Sequence, residues 1–233
     1  MKVTPTHIEE ERAARLLEAQ SKAAALFALV ESRDVVRAGV LESEASRAVS
    51  DLAEELLGVT RHWHKRIVRS GPNTLQTFDA SPPDREITDD DIVFADFGPI
   101  FDRWEADFGR TWVVGNDPVK LRLRDDLPRV FAAGKRYFEN KADVTAAELY
   151  GEVQRFSAEL GWEFGNVHCG HLVGEFPHER FAGDRAQSMI RADNELPMRR
   201  RDPSGRTGHW ILEVHLVDRS RKIGGFYEEL LTL

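Results

Sequence analysis

Residues 92–112 read IVFADFGPIFDRWEADFGRTW and place two acids, Asp96 and Asp107, eleven residues apart on two predicted strands. Gly98 and Pro99 open the connection between them, which favours an antiparallel pair. Such a pair brings both carboxylates to one end of a sheet, where uncompensated acids repel and rise in pKa. A divalent cation would relieve that repulsion. Aspartates beside glycine are also common in turns, and this alternative stays open for the pair taken alone.

The sequence before this segment predicts two helices and a short strand. Apolar residues recur at three- and four-residue steps between His7 and Ser32, as one face of an amphipathic helix requires. A second helical pattern, Glu42 to Leu57, ends at Gly58, a residue suited to a left-handed helix terminus. A strand is predicted from Arg66 to Arg69, and the central pair spans Ile92 to Asp96 and Asp107 to Val114.

Helices return after this pair and are followed again by strands. Pro118, after Asn116 and Asp117, starts a helix, which Pro128 is expected to kink. Thr145 and Glu148 form a capping-box pattern for a helix that ends at Gly161. Strands are predicted over Trp210–Val217 and Gly225–Leu233. We therefore expect one α+β domain, residues 1–233, built from two related halves.

Composition narrows the function classes. The 233 residues include 32 basic and 40 acidic side chains, a net charge of −8 that disfavours nucleic acid and anionic membranes as partners. The single cysteine allows no internal disulfide, and the polar N-terminal segment does not resemble a signal peptide. The longest apolar run, Ala23 to Val30, is too short to span a membrane. These features predict a cytoplasmic protein with small or neutral partners.

Two histidines lie in the glycine-punctuated segment CGHLVGEFPHE, residues 169–179. His171 and His178 are seven residues apart, a spacing that does not match a zinc knuckle. A single buried histidine is more often a core residue than a ligand, so each needs further support. Cys169 has no second cysteine beside it and is interpreted as a buried neighbour.

The late strands carry three glutamates that are candidates for a site. Glu213 lies in the apolar run HWILEVHLVD, where a buried acid needs a partner, although surface exposure is the alternative. Glu228 and Glu229 point to opposite faces of their strand, and either one fits an inward position.

The stretch Arg199–Arg206, RRRDPSGR, is basic and rich in turn residues. We expect a solvated loop. The alternative is a role in binding the acidic end of a substrate.

Together these segments resemble the pita-bread metallopeptidases, which include methionine aminopeptidase, aminopeptidase P, prolidase and creatinase. Five elements between Arg66 and Leu233 carry the resemblance in the right order: Asp96-Phe97-Gly98, Asp107 with Arg110-Thr111, Gly170 to Gly174 followed by His178-Glu179, Glu213, and Glu228. Glu228 matches the family's last acid best, although counting from Gly224-Gly225 favours Glu229. The resemblance implies the pita-bread fold, with two halves around a central cleft.

The resemblance also implies a ligand set and a reaction. Asp96, Asp107, His171, Glu213 and Glu228 would hold two divalent metal ions, and carboxylates with one imidazole suit Mn, Co, Fe or Zn. His178 would hydrogen-bond the substrate carbonyl, and Glu213 would also move a proton from water to the leaving amine.

The sequence departs from the family near the substrate. Relatives usually carry a histidine ahead of the first aspartate, whereas the matching segment here has Thr77-Phe78-Asp79. His62 and His64 lie upstream and are alternatives for it, but a surface or packing role is expected for both. From its length, we also expect this chain to lack the additional N-terminal domain of prolidase and aminopeptidase P.

We therefore expect a dinuclear-metal aminopeptidase or Xaa-Pro dipeptidase that cleaves the N-terminal bond of short peptides, with a homodimer as one possible assembly. Two alternatives remain: a creatinase-like hydrolase of a non-peptide C–N bond, and a non-catalytic module that binds a peptide or protein.

Overall fold

The computed structural model describes residues 5–178, 185–202 and 205–233. Four helices lie in these ranges: α1 (Pro5–Ser32), α2 (Glu42–Leu57), α3 (Pro118–Asn140) and α4 (Ala146–Glu159). The strands are β1 (Ile67–Ser70), β2 (Asp91–Phe97), β3 (Ile100–Phe101), β4 (Trp104–Glu105), β5 (Phe108–Val114), β6 (Glu163–Phe164), β7 (His168–Val173), β8 (Met189–Arg191), β9 (His209–Asp218) and β10 (Ile223–Leu230). None of the helices in these ranges is long and apolar enough to cross a membrane.

Local chemistry explains where the helices begin and end. Gly58 ends α2 in the left-handed region at φ 68°, and its amide donates to the Glu54 carbonyl. Asp117 caps α3 by accepting hydrogen bonds from the amides of Val119 and Lys120. The predicted capping box of α4 is present, with Thr145 and Glu148 bonded to each other's amides. The structure keeps α3 as one helix through Pro128.

One antiparallel sheet connects the two halves of the chain. Its order is β1-β2-β5-β10-β9-β7-β8, with β6 paired to β9. Helices α1 and α2 share a buried core with β2 and β5, whereas α3 and α4 share a second core with β9 and its neighbours. The α+β class is confirmed, and β5 and β10 meet where the halves join.

The junction between β5 and β10 depends on side chains. Its only backbone register pair is Glu228 opposite Gly109. The Thr111 hydroxyl accepts a hydrogen bond from the Phe226 amide and donates one to the Phe226 carbonyl, both at 2.8 Å. Arg110 donates to the Glu228 carbonyl at 3.2 Å. Two consecutive side chains therefore hold β10 at a fixed register against β5.

The sequence missed several strands and misplaced some boundaries. Strand β7 was interpreted only as a glycine-punctuated segment, because Gly170 interrupts its strand pattern. Gly170 has a φ of 143°, and a Cβ there would overlap the Ile211 carbonyl oxygen, so this glycine permits the close approach of β7 to β9. The final strand ends at Leu230 rather than Leu233. Asp107 immediately precedes β5 instead of starting it.

Replacing Gly109 by alanine tests how tightly the junction is packed. An added Cβ would lie 2.5 Å from Cδ1 of Phe226 and 3.2 Å from Cβ of Glu228. We expect Gly109→Ala to lower the free energy of unfolding by about 1–3 kcal/mol, the usual cost of overpacking. Urea denaturation followed by circular dichroism measures this change.

The matched control is Gly151→Ala in α4, where nothing lies within 4 Å of the added Cβ. Alanine is the better helix former, so this variant should gain about 0.5–1 kcal/mol. Equal stability of the two variants would contradict the proposed crowding at Gly109.

Candidate metal centre

Three acidic side chains form one row across the middle of the sheet. Asp96 lies opposite Gly109, which lies opposite Glu228, which lies opposite Glu213. Residues directly opposite one another in antiparallel strands project to the same face. The three acids are each no more than 8% exposed. The strand register therefore gathers acids that are far apart in the sequence.

Asp107 adds a fourth carboxylate in front of this row. It lies two residues before Gly109, so it is on the same face. Its Oδ1 lies 3.0 Å from Nε2 of His64, and its Oδ2 lies 3.0 Å from Nε2 of His171. The two oxygens of one carboxylate thus face two different imidazoles.

His171 reaches the acids from β7. Its Nδ1 lies 2.8 Å from the Leu172 carbonyl oxygen, so Nδ1–H donates there and Nε2 points to the acids. Nε2 also lies 3.6 Å from Oε1 of Glu213. This orientation, with one ring nitrogen bonded to a carbonyl and the other free to coordinate, is typical of metal-binding histidines.

The register distinguishes between the two adjacent glutamates. Glu228 belongs to the row, whereas Glu229 projects to the other face, where it pairs with Arg110 and accepts a hydrogen bond from the Tyr227 hydroxyl at 2.9 Å. The buried Oε2 of Glu228 has no hydrogen-bond partner among the described residues. An unpaired buried carboxylate oxygen is costly, and a cation would satisfy it.

Burial and neighbouring charges give the four acids different pKa values. Burial raises the pKa of Asp96 to about 6 and that of Glu213 to about 8. Burial, reinforced by the charges of Asp107 and Asp96, raises the pKa of Glu228 well above its usual value. Asp107 behaves oppositely: although burial opposes ionisation, His64 and His171 hold its pKa below the usual range.

The two imidazoles respond to the same charges. Burial alone would lower the pKa of His171, but its hydrogen bond and charge interaction with Asp107 raise it to about 9. For His64, burial is likewise outweighed by the charges of Asp107 and Asp96, which raise its pKa to about 10. Ionisation of the clustered acids is therefore favourable only with positive charge beside them, which protons or metal ions can supply.

The donor set fits two divalent cations. Within the described ranges, two groups have ligand atoms that lie within 4.8 Å of one another: His64, Asp96 and Asp107, and then Asp107, His171 and Glu228. Asp107 belongs to both. Oxygen and imidazole nitrogen donors suit Mn, Fe, Co and Zn. A carboxylate that belongs to two donor groups can serve two adjacent cations at once.

A cavity of about 250 Å³ opens in front of these groups. Apolar side chains form much of its wall: Trp63, Ile67, Phe78, Phe94, Met189 and Phe226. Arg69 positions the loop that carries Phe78, because its guanidinium donates to the carbonyls of Gln76, Thr77 and Ala80. His168 was not singled out from the sequence, yet its Nδ1 lies 3.6 Å from Oε1 of Glu213.

His178 lies near the metal-binding candidates but outside this cavity. Its ring stacks 6.1 Å from that of His171, centroid to centroid, and contacts Trp63 edge-on. Glu105 fixes it by bonding to Nδ1 and to the backbone amide. His178 is absent from the described cavity wall. Glu179, its partner in the sequence motif, lies outside the described residues.

The structure corrects one expectation about the upstream histidines. A packing role holds for His62, whose ring lies edge-on against Phe97. It is wrong for His64, which lines the cavity and contacts two of the acids. No local pattern in the sequence indicates this contact, because it depends on the antiparallel bridge between His62 and Pro99, which brings the segment beside the connection after Asp96.

Two further features noted in the sequence, Cys169 and the basic loop, are not among the proposed metal ligands. Cys169 is fully buried, and burial raises the pKa of its thiol, which agrees with its interpretation as a buried neighbour. The basic loop has described residues up to Asp202 and from Gly205 onward. Arg199 there donates to the backbone carbonyls of Phe138 and Lys141. No described residue of this loop lines the cavity.

Comparison with models of known protein families finds a match over most of the chain. The model of metallopeptidase family M24 matches residues 14–202. The chain belongs to this family. The matched range includes Asp96, Asp107 and His171, and it ends before the strands that carry Glu213 and Glu228.

Among curated proteins, the chain is similar to the Xaa-Pro dipeptidase of Pyrococcus horikoshii, with 29% identity over 145 residues. That alignment covers 60% of this chain and 40% of the dipeptidase. The chain therefore spans less than half of the curated relative.

Solved structures confirm the pita-bread fold. An X-Pro aminopeptidase from Thermotoga maritima superposes with a TM-score of 0.73 at 20% identity, covering 96% of this chain and 61% of the aminopeptidase. A His243Ala variant of Escherichia coli aminopeptidase P gives a TM-score of 0.66 at 17% identity, over 95% of this chain and 55% of that protein.

Metal binding by the M24 chain should release protons. Because the pKa of Glu213 is about 8 and that of His171 is about 9, both groups hold protons at pH 7 without metal. A metal ion binds only the deprotonated forms, so its affinity should rise as the pH rises from 7 towards 9. Calorimetry in two buffers of different ionisation enthalpy measures the proton release, and an identical heat in both would contradict this expectation.

Proposed function

We propose that this chain is a dinuclear-metal hydrolase that cleaves the N-terminal or Xaa-Pro bond of short peptides. The observation that carries the proposal is the position of Asp107, whose two carboxylate oxygens face separate groups of donors. Membership of a metallopeptidase family and similarity to an Xaa-Pro dipeptidase support a peptide substrate.

When bound, two divalent cations lower the pKa of a shared water and polarise the scissile carbonyl. Asp96, Asp107, His171, Glu213 and Glu228 would hold them. With metal bound, Glu213 would be deprotonated, so by the family resemblance this carboxylate would accept the proton of the attacking water and deliver it to the leaving amine.

The cavity favours a small substrate. At about 250 Å³ it lies below the range of roughly 300–1,000 Å³ that is common for drug-sized ligands. Its aromatic wall would contact apolar side chains or a proline ring beside the cleaved bond. His178 would hydrogen-bond the substrate carbonyl, which requires the substrate to reach beyond the cavity wall at Trp63.

A single catalytic domain, a homodimer, a cytoplasmic location and the absence of nucleic-acid and membrane partners stay predictions. The specific metal also stays a prediction, with Mn, Co, Fe and Zn as the candidates.

Asp107→Asn should abolish hydrolysis and metal binding together, because both donor groups share this residue. The wild-type chain, dialysed against manganese or cobalt, should bind about two ions under the two-metal mechanism. It should also cleave at least one class in a panel of Xaa-Pro dipeptides, longer Xaa-Pro peptides and methionyl peptides. Elemental analysis and product chromatography measure the two properties.

Asp125→Asn is the matched control, because Asp125 is an exposed side chain on α3. It should keep both metal and activity. Turnover of creatine but of no peptide would instead favour the creatinase-like alternative, and bound metal without any turnover would favour a binding module. Full activity in Asp107→Asn would overturn the assigned roles.

His178→Ala should separate binding from catalysis. Its ring contacts Glu105 and Trp63 rather than the acids of the row, so the variant should keep both ions. Loss of a hydrogen-bond donor to the transition state typically costs about 10²–10³ in kcat. Steady-state kinetics and elemental analysis test this, and loss of metal from His178→Ala would show that the histidine roles are reversed.

A further inference from the structure

His64 and His171 are arranged in the same way on the two sides of Asp107. Nδ1 of His64 lies 2.6 Å from the carbonyl oxygen of Lys65, the next residue, just as Nδ1 of His171 lies 2.8 Å from that of Leu172. Each Nε2 lies 3.0 Å from a different oxygen of Asp107. One imidazole therefore approaches each side of the shared carboxylate.

The separations around His64 are those of ligands to one cation. Its Nε2 lies 3.0 Å from Oδ1 of Asp107 and 3.5 Å from Oδ1 of Asp96. Donors bound at 2.0–2.2 Å lie about 2.8–3.1 Å apart in octahedral and about 3.3–3.6 Å apart in tetrahedral geometry. Both distances from Nε2 fall in these ranges, and the ligand atoms of all three residues lie within 4.8 Å of one another, so one cation could bind them with small adjustments.

The hydrogen bond at Nδ1 decides what Nε2 offers. Because Nδ1–H donates to the Lys65 carbonyl, the neutral ring carries its lone pair on Nε2. A lone pair that faces two carboxylate oxygens is repulsive unless a positive charge lies between them. A proton on Nε2 supplies that charge in the metal-free protein, and a divalent cation that displaces this proton would accept the lone pair.

Neighbouring contacts hold the ring in this position. The Trp63 indole donates to the Ala106 carbonyl at 3.1 Å, and the Trp63 amide donates to the Gly98 carbonyl at 2.9 Å. A Cβ on Gly98 would overlap the rings of His64 and Trp63, so glycine is required there. The segment is therefore anchored to Gly98, just after Asp96, and to Ala106, just before Asp107. The side chain of His64 is only 6% exposed.

We propose that His64 is a sixth protein ligand, which completes the cation position formed by Asp96 and Asp107. This inference rests on the proposed two-cation function and extends it, because the ligand set implied by the family resemblance has one imidazole. Each cation position then carries one imidazole nitrogen. Nitrogen donors favour Zn, Co or Fe over Mn, so His64 shifts the metal preference of this position towards those ions.

Proton NMR of the cobalt-loaded protein tests the inference directly. Imidazoles bound to paramagnetic cobalt through Nε2 give strongly shifted, exchangeable Nδ1–H signals. The wild-type chain should show two such signals, and His64→Ala should show one. His64→Phe fills the space of the ring without a nitrogen donor and should also show one. His62→Ala is the matched control, two residues away, and should keep both.

Cobalt affinity gives a second measurement. Calorimetry should show one of the two sites weakened by more than about tenfold in both His64 variants and unchanged in His62→Ala. Two shifted signals in His64→Ala, or unchanged affinity at both sites, would overturn the inference and leave the proposed function intact. A wild-type chain that binds none of cobalt, manganese, iron and zinc would overturn the proposed function itself.

Discussion

The crowding of buried acids at the centre of the sheet is the constraint on which the site depends. Asp96, Glu228 and Glu213 project from one cross-strand row, and Asp107 lies in front of it. Burial makes ionisation of these acids costly, and their proximity adds repulsion. Positive charge must therefore be present in the folded state, whether from imidazolium, protons or metal ions. The contacts that define the architecture thus also create the demand for positive charge that the proposed divalent cations would meet.

Hydrogen bonding around the site is arranged to preserve this geometry. Gly109 leaves space between Asp96 and Glu228, and Thr111 replaces part of the missing backbone ladder beside it. His171 and His64 are each oriented by a carbonyl of the following residue. Gly109 and Thr111 therefore maintain the spacing of the acids, whereas His64 and His171 contact the acids directly.

Much of this arrangement was predictable from local sequence, and the rest depended on long-range register. Asp96 and Asp107 lie in one segment whose strand pattern indicates an antiparallel pair, and the structure shows that pair. Choosing Glu228 over Glu229 needed the pairing with β9 and β5, because alternation alone allows either face. His64 was misjudged because its contact with Asp107 spans 43 residues, and the polar segment RHWHKR has no strand or helix pattern.

Family membership explains the acids better than it explains the cavity. The M24 match and the pita-bread neighbours account for the sheet architecture, whereas Trp63, His64 and the loop held by Arg69 form the wall of the cavity in this chain. The family's usual histidine before the first aspartate has no counterpart near Phe78. In this chain His64, which lies further upstream in the sequence, contacts Phe78 with ring centroids 5.7 Å apart.

The weak backbone pairing between β5 and β10 has a consequence for how the two halves stay together. Asp96, Asp107 and His64 come from the first half, whereas Glu228, Glu213 and His171 come from the second. Cations bound by these residues would link the two halves across the junction between β5 and β10, where the backbone pairing is sparse. Ion binding would then stabilise the whole fold. Removal of the ions would weaken the contact between the two halves first, at the junction between β5 and β10.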